Sequence, residues 1–140
     1  MKAVNLILRL VLGGVFIFAG VVKIINPTQF ASDVGNYRMM PHEWLNLFAI
    51  TMPWIETLVG LLLALGIWKR ASAVLVAVLL VVFLAAIGQA VARGLNINCG
   101  CFGTVEGRKV GLIALAQDIA MFAAAAWLVW RDKELREIRQ

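Results

Sequence analysis

Two cysteines stand one glycine apart in the segment Gly94-Leu95-Asn96-Ile97-Asn98-Cys99-Gly100-Cys101-Phe102-Gly103. Residues i and i+2 bring their Cα atoms within the range a disulfide tolerates, although the ring is tight. Closing so small a loop removes little chain entropy, so stabilisation is a poor reason for the pair. A strained, exposed disulfide is oxidising and exchanges readily. Gly100 and Gly103 relax the backbone constraints that such a turn imposes. The spacing predicts thiol–disulfide exchange, in which a thiolate attacks a disulfide and a mixed disulfide forms. The pattern does not say which cysteine attacks. Two other chemistries stay open. Cys99 and Cys101 could be buried free thiols, or a two-thiolate site for Cu(I) or another soft metal. Of the five methionines, Met39 and Met40 alone fall in a connection near the same side. Two cysteines do not suffice for a four-thiolate zinc site or a disulfide-rich scaffold.

A second set of chemistry-bearing residues lies inside apolar stretches. Glu56 is about eleven residues below the outer end of its stretch, roughly 16 Å at 1.5 Å per residue. Asp118 is about eight residues below the outer end of its own, roughly 12 Å. Both reach the same layer. Ionisable groups at such depth usually face the interior of a bundle and are functional candidates. A buried carboxylate is costly unless a cation is near. A protonatable carboxyl below a dithiol could carry the protons that accompany two-electron thiol oxidation. The structural alternative is interhelical hydrogen bonding to Gln117, Gln89 or backbone carbonyls freed by Pro53. Arg9 and Lys23 sit near opposite ends of the first stretch, where each can snorkel to headgroups. His42, the one histidine, reads as an interfacial residue. Trp44, Trp68, Trp127 and Trp130 fit aromatic interface belts, and Trp54 is expected in the core.

The elements that must position these groups follow from composition. Of the 140 residues, 62% are apolar and 15% charged, against roughly 45–50% and about 25% in soluble domains. A soluble globular domain, a disordered chain and a nucleic-acid-binding domain are excluded together, and the net charge of +5 must be read against a membrane. The length predicts one domain, residues 1–140. Four stretches, about 5–25, 45–68, 71–92 and 110–130, each reach the ~20 residues needed to cross the hydrocarbon core. Backbone groups in lipid must be satisfied internally, which makes the stretches helices. The predicted fold class is all-α, an integral membrane four-helix bundle. Arg9 within the first stretch and the lack of a small-x-small cleavage site predict a retained span rather than a signal peptide.

Four spans place both termini on one side. That side holds eight basic residues: Lys2, Arg9, Lys69, Arg70, Arg131, Lys133, Arg136 and Arg139. The other holds five: Lys23, Arg38, Arg93, Arg108 and Lys109. The bias predicts cytoplasmic termini, a tight hairpin at Lys69-Arg70, and outward connections at about 26–44 and 93–109. The cysteines then face an oxidising compartment.

Cys99-Gly100-Cys101-Phe102-Gly103, after a third span and Arg93-Gly94, resembles the signature of the MauE branch of the DoxX-like membrane protein family. Arg9 with Gly13, Gly20 and Lys23, then Pro27 and Phe30, is similar to that family's first-span pattern. Pro53-Trp54-Ile55-Glu56 with Gly60 and Gly66 is similar to its second-span pattern. The resemblance covers nearly the whole chain. Gln117 before Asp118 departs from relatives that carry an arginine there, so no ion-pair role is carried over to that position. The resemblance implies a four-span bundle of the bacterial inner membrane that supports redox processing or maturation of exported proteins, of the methylamine dehydrogenase type. It implies a periplasmic thioredoxin-like partner and an exported client.

Membrane thiol oxidases of the vitamin K epoxide reductase type share a four-span layout but use two cysteine pairs. The single pair here implies direct exchange with a separate thioredoxin-like partner, or cysteines borrowed from an accessory protein. No P-loop, Rossmann or cofactor-attachment motif occurs, and a quinone would need a pocket between helices. The expected site is therefore Cys99 and Cys101, with Glu56, Asp118 and Lys23 handling protons or stabilising a thiolate. A non-enzymatic assembly subunit and a Cu(I) or small-solute carrier are the alternatives.

Overall fold

A computed structural model describes residues 2–94 and 112–139, with side chains through residue 132. The regular structure among the described residues is all helical: α1 (Lys2–Ile25), α2 (Pro27–Asn36), α3 (His42–Leu65), α4 (Lys69–Ala92) and α5 (Leu112–Arg139). Four stretches are long and apolar enough to cross a membrane: Lys2–Ile25, His42–Leu65, Lys69–Ala92 and Leu112–Asp132. Cys99, Gly100, Cys101 and Gly103 lie outside the described residues.

The exterior is apolar. Ile7, Val11, Ile50, Trp54, Leu58 and Val78 are all exposed. Such a surface suits lipid, which removes the hydrophobic drive for helices to associate and leaves close packing to hold them. Small residues supply that packing between α1 and α3. A Cβ on Gly13 would stand 2.7 Å from the Gly60 carbonyl oxygen. One on Gly60 would stand 2.8 Å from the Gly13 carbonyl oxygen and from Phe16 Cβ. Backbone meets backbone, and neither side can yield. The four spans share one core of Leu12, Phe16, Val59, Leu63, Val76, Leu80, Ala125 and Leu128.

Three details depart from the sequence expectation. The hairpin turn lies at Gly66–Trp68, and Lys69 and Arg70 occupy the first turn of α4. Gly66 ends α3 in the left-handed region, φ 76°, a conformation that glycine adopts without a Cβ clash. The connection after α1 holds the helix α2, with Pro27 at its start, where the missing N–H costs no hydrogen bond. Phe30 of α2 packs on Ala49 and Met52 of α3. Trp54, expected in the core, is 61% exposed on the lipid-facing side of α3. Position 53 is buried instead, because adjacent helical positions point about 100° apart.

Candidate functional site

Arg9, Gly13, Phe16, Gly20 and Lys23 repeat at four- and three-residue steps on α1, so all face α3. Gly20 brings α1 so close that an added Cβ would stand 2.8 Å from the Pro53 carbonyl oxygen. Thr57 Oγ1 donates to that same carbonyl at 2.8 Å. The close approach carries Lys23 directly over Glu56. Lys23 Nζ donates to both oxygens of Glu56, at 2.9 and 3.1 Å. Both residues are 1% exposed. Lys23 does not snorkel: it is a fully buried cation with a bidentate counter-ion.

The surroundings of the ammonium are aromatic. Nζ lies 4.9 Å from the Phe30 ring centroid and 5.0 Å from that of Phe83. Ring faces attract a cation, most strongly where water is excluded. α2 contributes Phe30, and α4 contributes Phe83. α2 is held over the site by Gln89, whose Nε2 donates to the Tyr37 carbonyl at 3.0 Å. Gln89 thus ties α4 to the end of α2 instead of serving Glu56 or Asp118.

Two cavities flank the ion pair, and Phe83 borders both. The larger, about 110 Å³, is walled by Phe30, Tyr37, Met40, Phe48 and Phe83, with Lys23 and Asp33 as its charged members. The smaller, about 20 Å³ and almost wholly apolar, is lined by Glu56 and Asp118 together with Phe16, Ala19, Leu80 and Met121. Asp118 is 2% exposed. Its Oδ2 has no hydrogen-bond partner among the described residues. The structure thus gathers Lys23, Glu56 and Asp118 into one layer of the bundle.

Asp33 is a site residue that the sequence reading missed. It is 2% exposed and accepts a hydrogen bond from Gln29 Nε2 at 3.2 Å. Burial pushes its carboxyl above the ordinary aspartate range, while the Gln29 bond and the Lys23 charge pull it partly back. The signal was present: Phe30, Asp33, Val34 and Tyr37 recur at helical spacing after a proline start.

Arg9 corrects a second expectation. Its Nε donates to the Leu63 carbonyl at 3.1 Å and its Nη2 to the Ala64 carbonyl at 3.4 Å. The guanidinium caps the C-terminus of α3, where the last carbonyls carry partial negative charge. Among the described residues no cluster of three His, Cys, Asp or Glu could hold a metal ion.

The methylamine utilisation protein MauE family matches residues 1–131. The chain belongs to the MauE family. A methylamine utilization protein MauE from Methylorubrum extorquens is 33% identical over 114 residues, covering 80% of this chain and 61% of that relative. One from Paracoccus denitrificans is 30% identical over 119 residues, 84% of this chain and 64% of the relative. A third, from Methylophilus methylotrophus, is 31% identical over 84 residues, 59% of this chain and 44% of the relative. This MauE family chain therefore spans less than two thirds of the length of the curated relatives it matches. No solved structure matches it. The family and the four apolar helices together make it a multi-pass membrane protein.

Proposed function

We propose that this MauE family member exchanges dithiol for disulfide through Cys99 and Cys101 at the outer face of a bacterial inner membrane. The termini are then cytoplasmic. Its partner is a periplasmic thioredoxin-like protein, and its client is an exported protein of the methylamine dehydrogenase type. The observation that carries the reading is the Cys99-Gly100-Cys101 spacing in a chain of this family. A partner thiolate attacks the Cys99–Cys101 disulfide and a mixed disulfide forms. The second partner thiolate then displaces the bound cysteine. The partner leaves oxidised, and Cys99 and Cys101 hold the two electrons and two protons as a dithiol.

Regeneration needs a two-electron, two-proton acceptor, which a quinone of the membrane supplies when bound. The larger cavity supports that assignment. Its walls are the flat rings of Phe30, Phe48 and Phe83, and one buried ammonium, Lys23, can donate to a carbonyl oxygen. Phe30 and Phe83 orient the ring. Tyr37 and Met40 border its outer side. Lys23, Glu56 and Asp118 handle the protons.

Cys99→Ser and Cys101→Ser test the reading. Either change should abolish thiol exchange with a dithiol or disulfide probe in membranes, and one should trap a mixed disulfide. Retained activity with serine at both positions favours an assembly subunit. Stoichiometric Cu(I) on the reduced pair favours a carrier.

A further inference from the structure

We propose that Asp118 carries a proton in the resting protein, which makes the contact of α1, α3 and α5 a proton-binding site. The site itself stands on geometry alone. Its use in thiol oxidation rests on the reading above.

Charge balance comes first. Lys23 from α1 is the cation of this layer, and Glu56 from α3 engages it with both oxygens. Asp118 from α5 faces the same two groups and lies within Coulomb reach of both. Asp33 from α2 has its own hydrogen bond from Gln29. α4 lines the small cavity with Leu80 and Phe83, which hold no proton. One ammonium neutralises one carboxylate. A second buried carboxylate with an unpartnered oxygen would carry a cost of several kcal/mol, on the order seen for ions desolvated in proteins. A proton removes that charge.

Geometry supplies the atom. Asp118 Oδ2, buried and without a hydrogen-bond partner among the described residues, is the atom that would carry the proton. Glu56 lines the same small, apolar cavity of about 20 Å³. With that proton in place, Lys23 and Glu56 form a neutral pair and the layer carries no net charge. Loss of the proton leaves two carboxylates for one ammonium, so the proton is coupled to the ion pair that borders the larger cavity.

Infrared spectroscopy of the full chain in lipid bilayers at neutral pH tests the site. A carbonyl stretch of a protonated carboxylic acid should be present and should shift down in D₂O. It should vanish in Asp118→Asn, return at a new frequency in Asp118→Glu, and weaken in Glu56→Gln, where Asp118 is left as the carboxylate for Lys23. Labelling aspartate with ¹³C in an Asp33→Asn background should move the band, and labelling glutamate should not, which tests the assignment with positions 118 and 56 intact. The band should also survive in the Cys99→Ser/Cys101→Ser chain, so failure of the thiol reading leaves this site standing. Absence of the band, its retention in Asp118→Asn, or a band that D₂O never shifts would overturn the proposal.

Discussion

The two cations of α1 face the same neighbour, α3, and do different work. Arg9 and Lys23 lie 14 positions apart, roughly 21 Å along the helix. Arg9 meets the C-terminal end of α3 and donates to backbone carbonyls with its fork of N–H donors. Lys23 meets the middle of α3 and a full carboxylate. The difference follows from access to water. A half-buried guanidinium keeps part of its hydration, so partial charges at a helix end suffice for it. A fully buried ammonium keeps none, and only a formal counter-charge with aromatic faces around it offsets the loss. Position along a span thus decides whether a cation becomes a cap or half of a site.

The largest effect is expected at the Lys23 end. Lys23→Met leaves Glu56 buried beside no cation and should destabilise the bundle by about 3–5 kcal/mol, read as a lowered unfolding midpoint in detergent micelles. Lys23→Met with Glu56→Leu should recover most of that loss, because an apolar pair carries no desolvation penalty. A double variant as unstable as the single one would show that the pair is not the source.

Next comes the contact between the two ends. Gly60→Leu drives a side chain into the Gly13 carbonyl and Phe16. Overpacking of this kind costs about 1–3 kcal/mol. Because it separates α1 from α3, it should unseat both Arg9 and Lys23, and cysteine cross-linking between the two helices should fall.

Arg9→Ala should lose about 1 kcal/mol, the net worth of a typical hydrogen bond, while leaving any ligand affinity of the larger cavity unchanged. A loss as large as that of Lys23→Met would erase the distinction between cap and site.

The smallest effect belongs to Asp33. Its folded carboxyl holds a proton more tightly than the unfolded chain does. Stability then falls as pH rises from the ordinary aspartate range through the higher folded value, where the unfolded state binds fewer protons. Asp33→Asn should remove that slope. The variant should match the native chain at low pH and exceed it slightly above the window.

The span pattern was legible because lipid imposes a length and a composition on any helix that crosses it. Glu56 and Asp118 were legible as one layer because helical rise converts residue counts into depth. Their neighbours were not. That Lys23 turns inward depends on Gly20 letting α1 touch α3, a property of two surfaces meeting. The Gly66 turn displaced the expected hairpin because φ above zero ends a helix wherever glycine permits it. Trp54 shows the same limit: its depth was readable, but the face it presents was decided by which side of α3 meets α1.

The sequence by itself determined the membrane, the four spans and most of the residues able to do chemistry, which are written in composition and spacing, and its Cys99–Gly103 motif carried the resemblance to the family. Only the tertiary structure decided that Lys23 joins Glu56, that Arg9 caps α3 and that Asp118 borders the same small cavity as Glu56. Those pairings depend on distances between helices, and interhelical distance is set by which small residues face each other, a relation that no single stretch of chain contains.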